Sequence, residues 1–291
     1  MNKRKKVQWH APFCAATRLA LRADARLFTF DEEHQLSIGS LSMDLLIIKK
    51  ISEEEPANVI AKLFRKHNIL EYKSPGDTLN IDTLFKTIAY ASLYKSKGAH
   101  ANERKAEDIT ITLIREKKPV KLFSILSKQY GIIIEEAYEG VYYLKGNTLF
   151  PTQFIETGRL REDENIWLRC LTRSAKSELV GTLVKQSDTL RLQSENEYAD
   201  TVFSLMAQSN TTLFDKRKRE TKEMTELMAR YFLQDEIENY EAALADRDAV
   251  IADRDAVIAK TQADLAKNQA DLAKKDKEIA RLKAKLAARK R

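Results

Sequence analysis

The stretch His67-Asn68-Ile69-Leu70-Glu71-Tyr72-Lys73, stopped at once by Ser74-Pro75-Gly76-Asp77, constrains the fold more than any other part of the chain. An apolar run closed by turn residues reads as a strand. Alternate side chains of a strand share a face, so Glu71 and Lys73 project side by side while Tyr72 projects to the other face. A carboxylate and an ammonium then occupy one site. Upstream, Asp44 opens a second apolar run, Leu45-Leu46-Ile47-Ile48, which ends in Lys49-Lys50. If the two runs pair, a second carboxylate lies beside the first.

The surrounding pattern predicts an α/β fold. Residues 11 to 23 carry apolar groups at helical spacing, and Leu27-Phe28-Thr29-Phe30 reads as a strand. Residues 43 to 50 are its neighbour, with Ser37-Ile38-Gly39-Ser40 as the turn between them. Pro56 suits the first turn of a short helix reaching Lys66. After the Glu71 strand, Ile81 to Lys95 reads as a helix whose Leu84, Ile88 and Ala91 to Leu93 cover the sheet. Ile109 to Ile114 alternates with threonines as a further strand. Val120 to Lys128 then reads as helix, and Ile132 to Glu135, Val141 to Leu144 and Leu149-Phe150 as a small sheet extending the core, with a turn at Gly146-Asn147.

Glu-x-Lys spacing by itself says little in a chain with 32% charged residues. Glu103-Arg104-Lys105, Glu116-Lys117-Lys118 and Glu220-Thr221-Lys222 repeat it without the same strand-then-turn context. Glu71 and Lys73 fit an ordinary ion pair on a strand edge. They also fit, with Asp44 and the main-chain carbonyl of Tyr72, a magnesium and water site suited to phosphodiester cleavage. Lys86 and Tyr90 lie one helical turn apart and either touch a phosphate or form a lysine stem over a buried tyrosine. His67, at the start of the strand, is either a substrate contact or a structural histidine. His10, His34 and His100 have no ligand spacing, and the sequence has no glycine-rich phosphate loop and no Gly-x-Ser-x-Gly elbow.

The run Phe64 to Pro75, with Ile81-Asp82 and Lys86 through Tyr94 after it, resembles the PD-(D/E)xK nuclease superfamily. Within that superfamily it is similar to the Rpn-like group of recombination-promoting nucleases and transposase-like proteins. Glu33 to Leu36, Asp44 to Lys50, Leu149 to Gln153 and Asn165 to Arg169 carry the same likeness, which covers residues 8 to 175. The resemblance implies a restriction-endonuclease-like core that cuts DNA with magnesium, or with manganese in its place. It assigns metal binding to Asp44, Glu71 and the Tyr72 carbonyl, and water activation to Lys73. Lys86, Tyr90 and His67 are the expected substrate contacts. The chain departs from the family where the first helix often bears an acid, because that stretch reads Leu19-Ala20-Leu21 and the nearest acid is Asp24. The alternative is a lapsed nuclease fold that binds nucleic acid or assembles through its tail.

The remaining expectations concern the rest of the chain. A hydrophobic content of 43% supports a substantial core, and no run approaches the ~18 apolar residues of a membrane span. Cys14 and Cys170 are far apart with no Cys-x-x-Cys pair, which fits a cytoplasmic protein without zinc knuckles or disulfides. The net charge of +7 is matched by residues 274 to 291, where nine basic side chains face two acidic ones. Residues 176 to 243 read as a helical connecting region. From 244 to 291 a seven-residue repeat places Leu244, Ile251, Ile258, Leu265, Leu272, Ile279 and Leu286 on one seam. The companion position is mostly polar, as at Arg247, Arg254, Thr261, Asn268 and Lys275, so the seam predicts a weakly self-associating coiled coil.

Overall fold

The computed structural model describes residues 7–31 and 45–213, together with four helical residues, Arg254, Lys260, Thr261 and Lys275. The chain divides into two units, Met1–Tyr231 and Phe232–Arg291, and the architecture below is that of the first. Asp44, the turn at 37–40, the basic stretches at 3–6 and 216–219, the connecting region past 213 and the apolar heptad seam lie outside the described residues.

Helix α1 (His10–Ala20) leads through a 3-10 segment into strands β1 (Phe28–Asp31), β2 (Leu45–Lys50) and β3 (His67–Lys73). Helix α2 (Ile81–Ser96) then precedes β4 (Ile109–Arg115), so the helix, strand, strand, strand, helix, strand order read from sequence is the observed one. Helix α3 (Val120–Tyr130) follows, and then β5 (Ile133–Tyr138), β6 (Val141–Lys145) and β7 (Thr152–Glu156). Helices α4 (Glu162–Arg169), α5 (Ser177–Ser187) and α6 (Gln193–Ser209) close the described part. Among the described residues, seven strands form one mixed sheet in the order β1-β2-β3-β4-β7-β6-β5. Strand β4 runs parallel to both β3 and β7, and the other pairs are antiparallel.

The sheet is covered on both faces, which is why β3 and β4 read as near-continuous apolar runs. Helices α2 and α3 pack on the face that carries Ile47, Ile69, Ile111, Leu113 and Phe154. On the other face Phe13 of α1 stacks on Tyr72 at 4.8 Å, and α4 and α6 meet through Trp167 and Phe203. Cys14 and Cys170 are both buried, and neither forms a disulfide. Among the described residues no helix is long and apolar enough to cross a membrane.

Three expectations need correction. The strand expected at Leu149-Phe150 begins only at Thr152, after Pro151, and Leu149 is exposed. The helix predicted from Pro56 to Lys66 is only a 3-10 turn, Val59–Ala61. In a helix the Ile60 carbonyl would accept from Phe64, but Gln153 Nε2 takes it at 2.8 Å and Phe64 N donates to Ala61 O instead. Asn58 caps the short turn through its side chain at 3.1 Å from Ile60 N, and Asn68 Oδ1 captures Arg65 N at 2.8 Å. On α2, Leu84 and Ala91 do cover the sheet, but Leu93 is 43% exposed. Tyr90 and Tyr94 hold that face in its place, both nearly fully buried.

Candidate active site

The candidate site lies at the carboxyl end of β3. Strand β3 ends because Ser74 and Asp77 close a turn, with Ser74 Oγ donating to Asp77 Oδ2 at 2.7 Å and Asp77 N to Ser74 O at 2.9 Å. Asn80 then caps α2, its side chain accepting from Thr83 N at 2.9 Å. This short return brings α2 back across the face that carries Ile69 and Glu71. The placement follows the general tendency of α/β sheets to present ligand sites at the carboxyl ends of parallel strands.

Glu71 Oε1 and Lys73 Nζ form an ion pair at 2.7 Å. The Glu71 side chain is only 5% exposed whereas that of Lys73 is 28% exposed, so a lysine at the rim reaches a carboxylate below it. Burial raises the pKa of Tyr90 on α2, and the Glu71 charge adds to that rise. Tyr90 is therefore electrostatically coupled to Glu71 from the helix above. Across the sheet, Glu71 is in register with Leu45 on β2 and Leu113 on β4.

The next row outward is charged. Lys73 is in register with Arg115 on β4, and Arg115 with Glu156 on β7. Alternation along β4 puts Arg115 in phase with Ile111 and Leu113, on the α2 and α3 face. Glu156 turns elsewhere, accepting from Lys118 N at 3.1 Å and from the Tyr142 hydroxyl at 3.0 Å. Arg159 donates to the same hydroxyl at 2.9 Å. Burial, the Glu156 hydrogen bond and the Glu156 charge push the Tyr142 phenol up to about 12. Gly140 makes room for this arrangement, since at φ +75° a Cβ there would stand 2.9 Å from the Glu156 carbonyl.

The other expected site residues are distributed as follows. Asp44 lies outside the described residues. The Tyr72 side chain faces α1, where burial and the nearby Glu116 and Asp77 charges raise its pKa. Lys86 is exposed on α2, one turn before the buried Tyr90. His67 shares the Glu71 face but sits at the opposite end of β3, four residues or about 13 Å away at strand rise. There its Nδ1 meets the Tyr94 hydroxyl at 3.0 Å. Burial first, then the charges of Arg104 and Lys49, lower its pKa. The structure thus brings Glu71, Lys73 and Tyr90 together and keeps His67 apart.

Asp24, the acid nearest to the first helix, is also committed elsewhere. It is buried and accepts from Asn58 N at 3.1 Å. Helix α1 itself covers the face opposite Glu71. Sequence reasoning passed over Arg115 and Glu156. Their signal was the phase of the Ile109 to Ile114 alternation, which carries the next in-phase position onto Arg115, but the β4 to β7 register that aligns them is long-range.

Glu71 offers a hard carboxylate oxygen of the kind magnesium prefers. Among the described residues no three His, Cys, Asp or Glu side chains cluster as a metal site. An apolar hollow of about 260 Å³ between α2, α3 and the β6–β7 loop is lined by Leu84, Phe85, Tyr130 and Leu149 rather than by Glu71 or Lys73. No protein-family model matches the chain, and neither a curated protein nor a solved structure does.

Proposed function

We propose that the chain is a metal-dependent DNA endonuclease of the PD-(D/E)xK type, with Glu71 and Lys73 as the core of its active site. The observation that carries this reading is the 2.7 Å Glu71–Lys73 pair, set on one sheet face at the end of a strand with a parallel neighbour. Glu71, the Tyr72 carbonyl and Asp44 would hold magnesium or manganese. When bound, the ion supplies Lewis acidity and lowers the pKa of its water. Lys73 Nζ donates hydrogen bonds to a phosphate oxygen, offsetting its charge, and orients the attacking water, while its ion pair with Glu71 holds it in place. Tyr90 of α2 lies within reach of the Glu71 charge.

A supercoiled-plasmid nicking assay with magnesium or manganese tests the proposal. Wild-type protein should nick, and Asp44→Ala, Glu71→Ala and Lys73→Ala should each abolish nicking with the fold intact, because such groups act as a unit. Nicking that survives Glu71→Ala undiminished overturns it. One observation favours a second reading, a lapsed nuclease fold that binds DNA without cutting it: α1 covers the sheet face away from Glu71 and presents Phe13 to Tyr72, contributing no carboxylate to the site. That protein would bind plasmid and leave it supercoiled.

A further inference from the structure

We infer that Arg115, beside Lys73, is the seat for a backbone phosphate of the bound nucleic acid. Arg115 is partly buried, and its Nε is buried with no hydrogen-bond partner among the described residues. Among the described residues neither of its register neighbours forms an ion pair with it. Lys73 is a second cation, already paired with Glu71, and the Glu156 oxygens accept from Lys118 N and the Tyr142 hydroxyl rather than from Arg115. A half-buried guanidinium without a counter-ion is costly in a folded protein. Its planar fork of donors matches a phosphate held by two parallel hydrogen bonds. An anion there would lie against Arg115 and Lys73 at once, on the same face and one row outward from Glu71. That placement suits a phosphate of the strand whose neighbouring linkage reaches Glu71.

This assignment rests on the nuclease reading for its choice of a phosphodiester as the anion, so its test is kept separate from cleavage. Full-length protein is titrated with a short fluorescein-labelled DNA duplex in EDTA, at a series of potassium chloride concentrations. Arg115→Gln should weaken binding on the order of tenfold and lower the salt slope by about one, as expected for a lost phosphate contact. Lys145→Gln, which removes an exposed lysine paired with Glu135 on the far strands, should change neither by a comparable amount. Inorganic phosphate should raise the melting temperature of the wild type more than that of Arg115→Gln. A merely structural arginine would instead show a lower melting temperature in Arg115→Leu and an unmoved salt slope. If Arg115→Gln does not fold, Arg115→Lys takes its place and should keep the slope while losing affinity.

A salt slope equal to wild type in folded Arg115→Gln overturns the inference, as does wild-type affinity in Arg115→Lys where that variant takes its place, or an equal loss in Lys145→Gln. Since binding is read without a metal, a chain that binds through Arg115 but never nicks plasmid removes the hydrolytic reading and keeps this one. Nicking that persists alongside an unchanged slope does the reverse.

Discussion

The two faces of the sheet treat buried polar groups in opposite ways. On the α1 face, Asn68, Thr110, Thr112 and Gln153 are all fully buried and bonded to one another or to the main chain. Asn68 Nδ2 donates to Ile48 O at 2.9 Å and Arg65 O at 2.8 Å, and Gln153 Nε2 reaches Ile60 O, so the network ties a loop to the sheet. Only Gln153 Oε1 in that group lacks a partner. On the α2 face the carboxyl end gathers the charged side chains Glu71, Lys73, Arg115 and Glu156, and Arg115 Nε lacks a hydrogen-bond partner among the described residues. An uncharged, satisfied network specifies structure. Charges left unmatched at a strand end leave capacity for a ligand.

Removing a member of the first network should therefore cost the most stability. Asn68→Ala strips partners from Arg65 N, Arg65 O, Ile48 O and the Thr110 hydroxyl, four bonds of about 1 kcal/mol each, for an expected loss of about 3–4 kcal/mol in urea unfolding. A loss below about 1 kcal/mol would break the contrast between the faces. On the charged face, Lys73→Met leaves Glu71 buried without its lysine. Breaking a buried pair typically costs about 3–5 kcal/mol, and the partial exposure of Lys73 reduces the expected loss to about 2 kcal/mol. The double change Glu71→Gln with Lys73→Met removes the stranded charge and should recover more than half of that loss. A double variant no better than Lys73→Met would mean that the pair is not what holds the carboxylate.

How much of this was legible in the sequence depended on the range of the interactions. Glu71 and Lys73 share a face because of strand parity alone, and that needs no tertiary information. The helix expected at 56 to 66 failed because the competitor for its Ile60 carbonyl is Gln153, 93 residues away. Tyr90 and Lys86 show the limit of periodicity. One turn apart on α2, they have opposite environments, since the lysine is in solvent and the tyrosine lies near the Glu71 charge. Arg115 was written in the alternation of its own strand, but Glu156 beside it accepts instead from Tyr142 and Lys118. No local pattern reports that competition.

The smallest expected effect divides the α2 face along its length. His67 and Glu71 share β3 and its face, yet His67 belongs to a closed aromatic contact with Tyr94, at 5.3 Å between ring centroids. Burial, Arg104, Lys49 and Lys66 lower its pKa, with Asp108 opposing them. The folded state thus holds neutral His67 more firmly than the unfolded state, whose value is near 6.5. As pH falls below that value the unfolded chain takes up a proton that the folded one resists, so the contribution is complete above pH 6.5 and is lost on acidification through the folded pKa. For one partly exposed group it should stay below about 1 kcal/mol. His67→Gln should flatten the stability profile below pH 6.5 while leaving plasmid nicking at neutral pH unchanged. If the substitution instead weakens DNA binding as much as Arg115→Gln does, the amino end of β3 belongs to the site, and the division of this face by function falls.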